Sequence, residues 1–389
     1  MEENTQNSGF TEGAVQNTET PVSTQTNLED NKKVKMKKTL LISAIVVVLA
    51  VTAVSFAVFS PGQIDPKYQK KIDKWETKQE QKSSYTTTSG DTVSSQEESS
   101  SSGASSDSSS SDENVTGSVS YKEEYTVTTK KGVVYGSASG MSLTVDIYTP
   151  NGVSGPTPAI MYIHGGGFHG GSANGVADDS LMLAKHGVAV VAVNYRLSGT
   201  AIFPAPLYDV KGATRFIRAN ASTYNIDPNA IFSLGESAGG VLASLLGVTG
   251  NYPSLEGTIG GYTSYSSKVS GVINISGSYM VSIVDTMSGG IKNSIGNEVG
   301  CSPVPSTECS SAYSALSPET YIDSTDAPFI ILHGDKDQSV PTVQAETLNS
   351  ELKSIGVESS LYVASDLAHV GGLLSRYLDE VISFINANS

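Results

Sequence analysis

A serine flanked by glycines, in the run Gly235-Glu236-Ser237-Ala238-Gly239, is the group in this chain best suited to covalent chemistry. An apolar stretch, 230–234, precedes it, and a helix-like stretch, 238–246, follows it. A Gly-x-Ser-x-Gly between a strand and a helix is typical of a nucleophile elbow, where a strained turn projects the serine oxygen above the sheet. Glycines suit this turn because a side chain there would collide with the neighbouring strand or helix. The pattern predicts that Ser237 is a nucleophile.

A serine hydroxyl needs a base to take its proton, and histidine is the usual base at neutral pH. The chain contains five histidines. Four have other expected roles: helix capping for His186, loop bracing for His164 and His333, and pocket lining for His169. The fifth, His369, lies on a loop between the last predicted strand and the last predicted helix, and it is the candidate base.

The base in turn needs a carboxylate that fixes its tautomer and stabilises its cationic form. The segment 333–341 follows a buried strand and offers two candidates, Asp335 and Asp337. Asp337 is favoured because it lies deeper in the loop and nearer the helix that follows. Asp335 is the alternative, and otherwise a turn residue.

Negative charge develops on the substrate oxygen during acyl transfer, and backbone N–H groups are the usual donors to it. The run 164–168, His-Gly-Gly-Gly-Phe, directly follows a strand, so its glycines could turn N–H groups toward a substrate. Ala238 would supply a further N–H. Glycine runs also form merely flexible loops, which is the other interpretation. Phe168 and His169 are candidate pocket residues.

The elements around these residues alternate between strand and helix, which predicts an α/β fold with a mostly parallel sheet. The predicted strands are 121–128, 143–148, 159–163, 188–193, 230–234, 269–275, 328–332 and 360–364. The predicted helices are 177–186, 206–221, 238–246, 342–355 and 371–386. Ligands of such sheets bind beyond the carboxyl ends of the strands, and Ser237 falls at one of these ends.

The amino-terminal part of the chain has a different character. Residues 1–38 are polar and predicted to be disordered, and they end in a lysine cluster, 32–38. Residues 39–59 carry no charge and are long enough for a transmembrane helix, although a cleaved signal peptide is the alternative. The lysine cluster places the tail in the cytoplasm and the remainder outside the cell. Residues 60–118 include a serine-rich stalk, so the folded domain is expected at 119–389.

Several motifs together resemble the hormone-sensitive-lipase-like branch of α/β-hydrolase esterases, which includes acetyl-xylan and feruloyl esterase-like enzymes. They are His164-Gly-Gly-Gly-Phe168, Asn194-Tyr-Arg-Leu197, Gly235-Glu-Ser-Ala-Gly-Gly240, His333-Gly-x-x-Asp337 and His369, with the triad in the order expected of that fold. The resemblance covers roughly 121–389. It implies carboxylesterase activity on short acyl esters, no metal or other cofactor, and an oxyanion hole formed by Gly166, Gly167 and Ala238. One departure is Glu236, where that branch more often has Asp. Arg196 and Asp209 also match the family, and we interpret them as structural.

The segment 276–326 is rich in glycine and serine and lies where such folds insert a small cap over the active site. Cys301 and Cys309 lie within it. Outside the cell they could form a disulfide, and two free thiols are the alternative.

The sequence thus predicts a membrane-anchored serine esterase acting on a small-molecule or polysaccharide ester. The formal net charge of −15 argues against a nucleic acid partner, because phosphate binding needs a basic surface. Two other functions compete with this hypothesis. One is a serine peptidase of the prolyl-oligopeptidase type. The His-Gly-Gly-Gly run and the lack of a propeller before the domain argue against it. The other is an inactive hydrolase domain that binds at the cell surface, which the complete triad disfavours.

Overall fold

A computed structural model describes residues 125–389 of the chain. The predicted tail at 1–38, the predicted membrane span at 39–59 and the predicted stalk at 60–118 lie outside the described residues. Within 125–389, no helix combines the length and the apolar character needed to cross a bilayer.

The described residues form one eight-stranded sheet. The strands are β1 (Thr126–Ala138), β2 (Met141–Asn151), β3 (Thr157–Ile163), β4 (Ala189–Val193), β5 (Ile226–Glu236), β6 (Val272–Ile275), β7 (Phe329–Gly334) and β8 (Ser359–Ala364). Their order across the sheet is β1-β2-β4-β3-β5-β6-β7-β8. β2 pairs antiparallel with β1 and with β4, and the other neighbours are parallel. The predicted α/β class with a mostly parallel sheet is confirmed.

Helices cover both faces of the sheet. In the described residues they are α1 (Ala177–Lys185), α2 (Ala205–Ala219), α3 (Ala238–Val248), α4 (Gly289–Val299), α5 (Ser310–Leu316), α6 (Thr342–Ser354), α7 (Leu373–Arg376) and α8 (Leu378–Ala387). Short 3-10 helices lie at Ala173–Val176, Ala221–Tyr224, Pro253–Leu255, Val281–Thr286 and Pro318–Thr320.

The sheet separates two hydrophobic cores, and β3 contributes side chains to both. Side chains alternate between the faces of a strand. Ala159, Met161 and Ile163 therefore pack into the core shared with α2, α3 and α6. Ile160 and Tyr162 pack into the opposite core, with α1, α7 and α8. A strand buried on both faces must be apolar throughout, which is why the central strands were readable from the sequence.

The structure differs from the prediction at the ends of the domain. The last helix was predicted as continuous over 371–386, and this was wrong: it is broken at Tyr377, where φ is −113° and ψ is 28°. The Tyr377 ring packs against Tyr362 of β8, with ring centroids 5.3 Å apart. β1 also runs to Ala138, beyond the predicted end at 128, because an irregular pairing between Lys130 and Val133 interrupts the alternation without ending the strand.

The segment 276–326, which we call the cap segment, contains two α-helices, α4 and α5, that the sequence analysis did not predict. Glycines occur at 289, 290 and 296 in α4, and glycine is a weak helix former. Ser288 caps α4 by accepting a hydrogen bond from the N–H of Ile291. Ile295 and Val299 of this helix are buried in the main core. Packing of that apolar face therefore outweighs the low intrinsic propensity.

A buried ion cluster fixes α2 to the loop that follows α3. Lys211 Nζ lies 3.1 Å from Glu256 Oε2, and Arg215 Nη1 lies 2.7 Å from Glu256 Oε1. Both cationic side chains are fully buried, whereas Glu256 is 34% exposed. Burial alone would raise the pKa of Glu256, but the Ser267 hydroxyl and the two cations lower it below its usual value.

The substitution Glu256→Gln should lower the free energy of unfolding by about 2–3 kcal/mol, because it leaves two buried cations without a counter-charge. The expected loss is smaller than the roughly 3–5 kcal/mol lost when one partner of a fully buried ion pair is removed, because part of Glu256 reaches water. Urea unfolding of the full-length chain measures it. Asp366→Asn, which breaks the exposed pair with Arg376, is the matched control and should change stability less. Equal effects of the two substitutions would contradict a stabilising role of the cluster.

Candidate active site

Ser237 lies in the turn between β5, which ends at Glu236, and α3, which begins at Ala238. Its backbone adopts φ 51° and ψ −119°, a conformation that a residue with a side chain adopts only at an energetic cost. The Ser237 N–H donates to the Ile275 carbonyl at 2.9 Å, so the end of β6 holds the turn.

The flanking glycines are required by close backbone contacts. A Cβ at Gly235 would lie 2.1 Å from the carbonyl oxygen of Gly239. A Cβ at Gly239 would lie 2.0 Å from the carbonyl oxygen of Ile163. These neighbours are backbone atoms in a strand or helix and cannot rotate away. The predicted collision with neighbouring elements is confirmed.

The structure brings the three predicted catalytic residues together. Nε2 of His369 lies 2.8 Å from Oγ of Ser237, and Nδ1 of His369 lies 2.6 Å from Oδ2 of Asp337. In the neutral imidazole, Nδ1–H donates to the carboxylate and leaves Nε2 free to accept the serine hydroxyl. This is the geometry in which a histidine can take the serine proton.

Asp337, and not Asp335, is the carboxylate in contact with His369. Its other oxygen, Oδ1, accepts the N–H groups of Ser339 and Val340 at 2.8 and 2.9 Å. Burial would raise the pKa of Asp337, but the hydrogen bond and charge of His369, with the Val340 N–H, lower it overall. The carboxyl is therefore held in its ionised form beside the base. The Asp335 N–H instead donates to the Ala364 carbonyl at 2.8 Å, which ties its loop to β8.

His333 braces this loop, as predicted. Its Nε2 lies 2.8 Å from the carbonyl oxygen of Val340 and 3.4 Å from Oδ2 of Asp337. A carbonyl only accepts, so Nε2 carries the hydrogen. Burial lowers the pKa of His333, which keeps the ring neutral and suited to this contact.

The loop at 164–168 passes close to the nucleophile. A Cβ at Gly165 would lie 2.9 Å from the carbonyl oxygen of Glu236, and Gly167 and Ala238 line the cavity beside Ser237. Positive φ angles of 114° at Gly166 and 60° at Gly167 shape the turn.

The carbonyls of Gly165 and Gly166 in this loop each have hydrogen-bond partners that fix their direction. Nδ1 of His164 lies 2.7 Å from the Gly165 carbonyl, and the N–H groups of His169 and Gly170 donate to the Gly166 carbonyl at 3.2 and 3.0 Å. In a trans peptide the N–H points opposite to the C=O. The N–H groups of Gly166 and Gly167 are therefore each held in one direction. Ala238 begins α3, where an N–H lacks an acceptor within the helix.

A cavity of about 30 Å³ adjoins Ser237 and is lined largely by apolar side chains. They are Phe168, Ala238, Val241, Tyr279, Met287, Ile291, Ile295, Leu316 and Val340, five of which belong to the cap segment. Phe168 lines the cavity as predicted. His169 is not part of this lining: its side chain is exposed, and its Nδ1 lies 3.0 Å from the carbonyl of Gly167, which does line the cavity.

A disulfide joins Cys301 and Cys309, with Cα atoms 5.7 Å apart, so the alternative of two free thiols is not what the structure shows. The bond connects the end of α4 to the start of α5. The Tyr313 hydroxyl donates to the Cys301 carbonyl at 3.2 Å and also contacts the Pro303 carbonyl. The two cap helices that line the cavity are thereby tied to each other.

Arg196 and Asp209 form an ion pair, consistent with the structural interpretation. Nη2 of Arg196 lies 2.7 Å from Oδ1 of Asp209, whose side chain is fully buried. The same carboxylate accepts the Arg196 N–H at 2.9 Å and Nε at 2.8 Å. The pair holds the chain after β4 against α2. Among residues 125–389, no cluster of His, Cys, Asp and Glu side chains could hold a metal ion.

The sequence analysis missed Ser276, which contacts the loop that carries His369. Its Oγ accepts the Val370 N–H at 3.3 Å, next to His369. Ser276 and Val370 both have positive φ, 49° and 57°. The only signal in the sequence was a serine at the end of a buried strand. Such a serine gives no indication that it contacts a loop 94 residues later.

Asp337→Asn should reduce kcat/KM toward a p-nitrophenyl ester by about 10²–10⁴-fold, because the amide can donate to His369 and favour the wrong tautomer. Asp335→Asn is the matched control and should retain activity within about twofold. The measurement is steady-state kinetics on the full-length chain. An Asp335→Asn loss as large as that of Asp337→Asn would contradict the assignment.

Comparison with known proteins supports an esterase family. The chain is 30% identical over 252 residues to the probable carboxylic ester hydrolase LipM of Mycobacterium tuberculosis, an alignment covering 61% of this chain and 57% of LipM. A truncated carbohydrate esterase from gut microbiota superposes with a TM-score of 0.61 at 29% identity, covering 69% of this chain and 98% of that structure. An acetyl ester-xyloside bifunctional hydrolase from Caldicellulosiruptor lactoaceticus gives a TM-score of 0.53 at 25% identity, covering 64% and 88%.

The chain spans about half the length of the first curated relatives it matches. The BD-FAE family model matches residues 145–352, a range that contains Ser237 and Asp337. The resemblance to α/β-hydrolase esterases predicted from the motifs is thus confirmed. With more than half of its residues matched, the chain belongs to the BD-FAE family.

Proposed function

We propose that this protein is a membrane-anchored serine carboxylesterase that hydrolyses short-chain acyl esters. One observation carries the proposal: the continuous chain of contacts from Ser237 Oγ through His369 to Asp337, at 2.8 and 2.6 Å. The family match and the esterase relatives support the reaction class.

The first half-reaction forms an acyl-enzyme. Ser237 Oγ attacks the ester carbonyl carbon as His369 Nε2 takes the hydroxyl proton. The oxygen of the tetrahedral intermediate carries the negative charge, and the N–H groups of Gly166, Gly167 and Ala238 are the donors to it. His369 then gives its proton to the departing alcohol oxygen, which leaves an ester on Ser237.

The second half-reaction reverses these roles with water. His369 takes a proton from a water molecule, whose oxygen attacks the acyl carbon. The tetrahedral intermediate collapses, Ser237 Oγ regains the proton from His369, and a carboxylic acid is released. Asp337 is ionised throughout and stabilises the imidazolium in both steps.

The physiological substrate we propose is an acylated polysaccharide or another ester outside the cell. The carbohydrate esterase and the acetyl ester-xyloside hydrolase among the structural relatives support a sugar ester. The uncharged segment 39–59 and the lysines before it support an anchored enzyme facing outward. The Cys301–Cys309 disulfide also supports an oxidising compartment.

Ser237→Ala should reduce p-nitrophenyl acetate hydrolysis by the full-length chain at least about 10³-fold, because no other group can form the acyl-enzyme. Ser354→Ala, at the exposed end of α6, is the control and should leave the rate unchanged. Turnover that survives Ser237→Ala, or the absence of turnover by the unmutated chain, would contradict the proposal. Acetylated xylan oligosaccharides assayed in parallel test the sugar ester.

Chain-length preference provides a second test. The small cavity should favour acetyl over octanoyl esters, and Ile295→Ala should raise the octanoate-to-acetate ratio of kcat/KM about tenfold or more, because it removes a wall of the cavity. Leu348→Ala truncates an equally buried residue of α6 that does not line the cavity, so it should leave the ratio unchanged. A ratio that moves equally in both variants would show a general loss of packing instead.

A further inference from the structure

A tyrosine hydroxyl behind the nucleophile lies between two carboxyl groups. Oη of Tyr162 is 2.9 Å from Oε1 of Glu236 and 3.1 Å from Oδ2 of Asp179. Tyr162 belongs to β3 and is fully buried, and Asp179 belongs to α1. Glu236 is the last residue of β5 and directly precedes Ser237.

The two contacts of the Tyr162 hydroxyl need more hydrogens than the phenol has. Two oxygen–oxygen contacts of hydrogen-bond length require two hydrogens, and a phenol has one. If both carboxyls were ionised, one carboxylate oxygen would face a phenol lone pair or share a divided hydrogen bond. A single proton on either carboxyl satisfies both contacts and leaves the three groups with one negative charge.

The environment favours retention of that proton. Burial raises the pKa of Glu236, and the neighbouring charge of Asp179 adds to this, whereas the Tyr162 hydroxyl and His369 act in the opposite direction. Burial also raises the pKa of Asp179, and the charge of Asp178 adds to this. The pKa of Tyr162 is raised well above its usual value, so the phenol does not lose its own proton.

We propose that Asp179 and Glu236 share one proton through the Tyr162 hydroxyl, and that Glu236 is a positioning residue whose negative charge stabilises the cationic form of His369. The inference rests on the proposed esterase function and deepens it. Glu236 would act through His369, not on the substrate.

The proton transfer balances within the cluster. When the proton leaves Glu236, it passes to Oη of Tyr162 as the phenol hydrogen passes to the Asp179 carboxylate. The cluster keeps one negative charge, which now lies on Glu236, next to the elbow. His369 becomes a cation whenever it holds the Ser237 proton. It then contacts Asp337 through Nδ1 and Ser237 through Nε2, and the charged Glu236 directly precedes Ser237 in the chain. The negative charge is thus available when the imidazolium forms.

The pH dependence of kcat/KM distinguishes this role from a structural one. Its acid limb reports protonation of the base in the free enzyme. Glu236→Gln should move this limb to lower pH by about 0.5–1 unit, because a nearby negative charge that favours the cation is lost. Asp179→Asn should move it the other way, because Glu236 then carries the full charge. Asp178→Asn, an exposed neighbour on α1 that acts on the cluster only through the pKa of Asp179, is the matched control and should move the limb by less than about 0.2 unit.

These profiles are measured with p-nitrophenyl acetate on the full-length chain. Opposite shifts for Glu236→Gln and Asp179→Asn, with less than about 0.2 unit for Asp178→Asn, would support the proposal. A limb for Glu236→Gln within about 0.2 unit of the unmutated protein would overturn it. A shift of the same size for Asp178→Asn would overturn it as well, since any surface carboxylate would then do the same.

A titration by NMR gives a readout that does not depend on turnover. The imidazole carbons of the five histidines can be followed with labelled histidine, and His369→Gln identifies the signal of His369. Its titration midpoint should fall in Glu236→Gln and rise in Asp179→Asn, and an unchanged midpoint in Glu236→Gln would overturn the proposal. If the unmutated chain shows no Ser237-dependent turnover, the proposed esterase function fails while this titration still decides the role of Glu236.

Discussion

The site depends on one close backbone approach, that of the first turn of α3 to the end of β3. No Cβ fits between Gly239 and the Ile163 carbonyl, so the helix begins in direct contact with the neighbouring strand. Because of this contact, the chain must change direction between β5 and α3 at Ser237, the one residue between them. The strained backbone of Ser237 is therefore a consequence of how tightly the two elements pack. Strain of this kind persists where the surrounding structure fixes the chain on both sides.

The partners of Ser237 come from loops, and each loop is fixed by its own polar contacts. The carbonyls at 165 and 166 have donors in His164, His169 and Gly170. Asp337 is held through its second oxygen by two backbone N–H groups, with His333 behind it. Such contacts orient catalytic groups before substrate arrives, which reduces the reorganisation that the reaction requires. Loops held by hydrogen bonds to their own neighbours thus position the side chains around Ser237.

The motifs were predictable because each one is local. The elbow, the glycine run and the loop that carries Asp337 each follow an apolar strand, and a buried strand is readable from composition alone. Contacts between distant segments were not readable. Tyr162 and Glu236 are 74 residues apart, and a tyrosine in an apolar strand looks like an ordinary core residue. α4 was missed for a similar reason: its glycines argue against a helix, and the packing of Ile295 and Val299 that outweighs them is not readable from the sequence.

The position of His369 in the sheet order has a consequence for how activity can be lost. The base follows β8, an edge strand with a single neighbour, β7, whereas Ser237 follows β5, which has neighbours on both sides. Edge elements open locally at a lower free energy than the centre of a sheet. The proposed nucleophile and the proposed base therefore belong to regions of unequal local stability. Local unfolding of β8 would move His369 away from Ser237 while the centre of the sheet stays folded. The stability of this edge strand therefore limits how long the triad stays assembled.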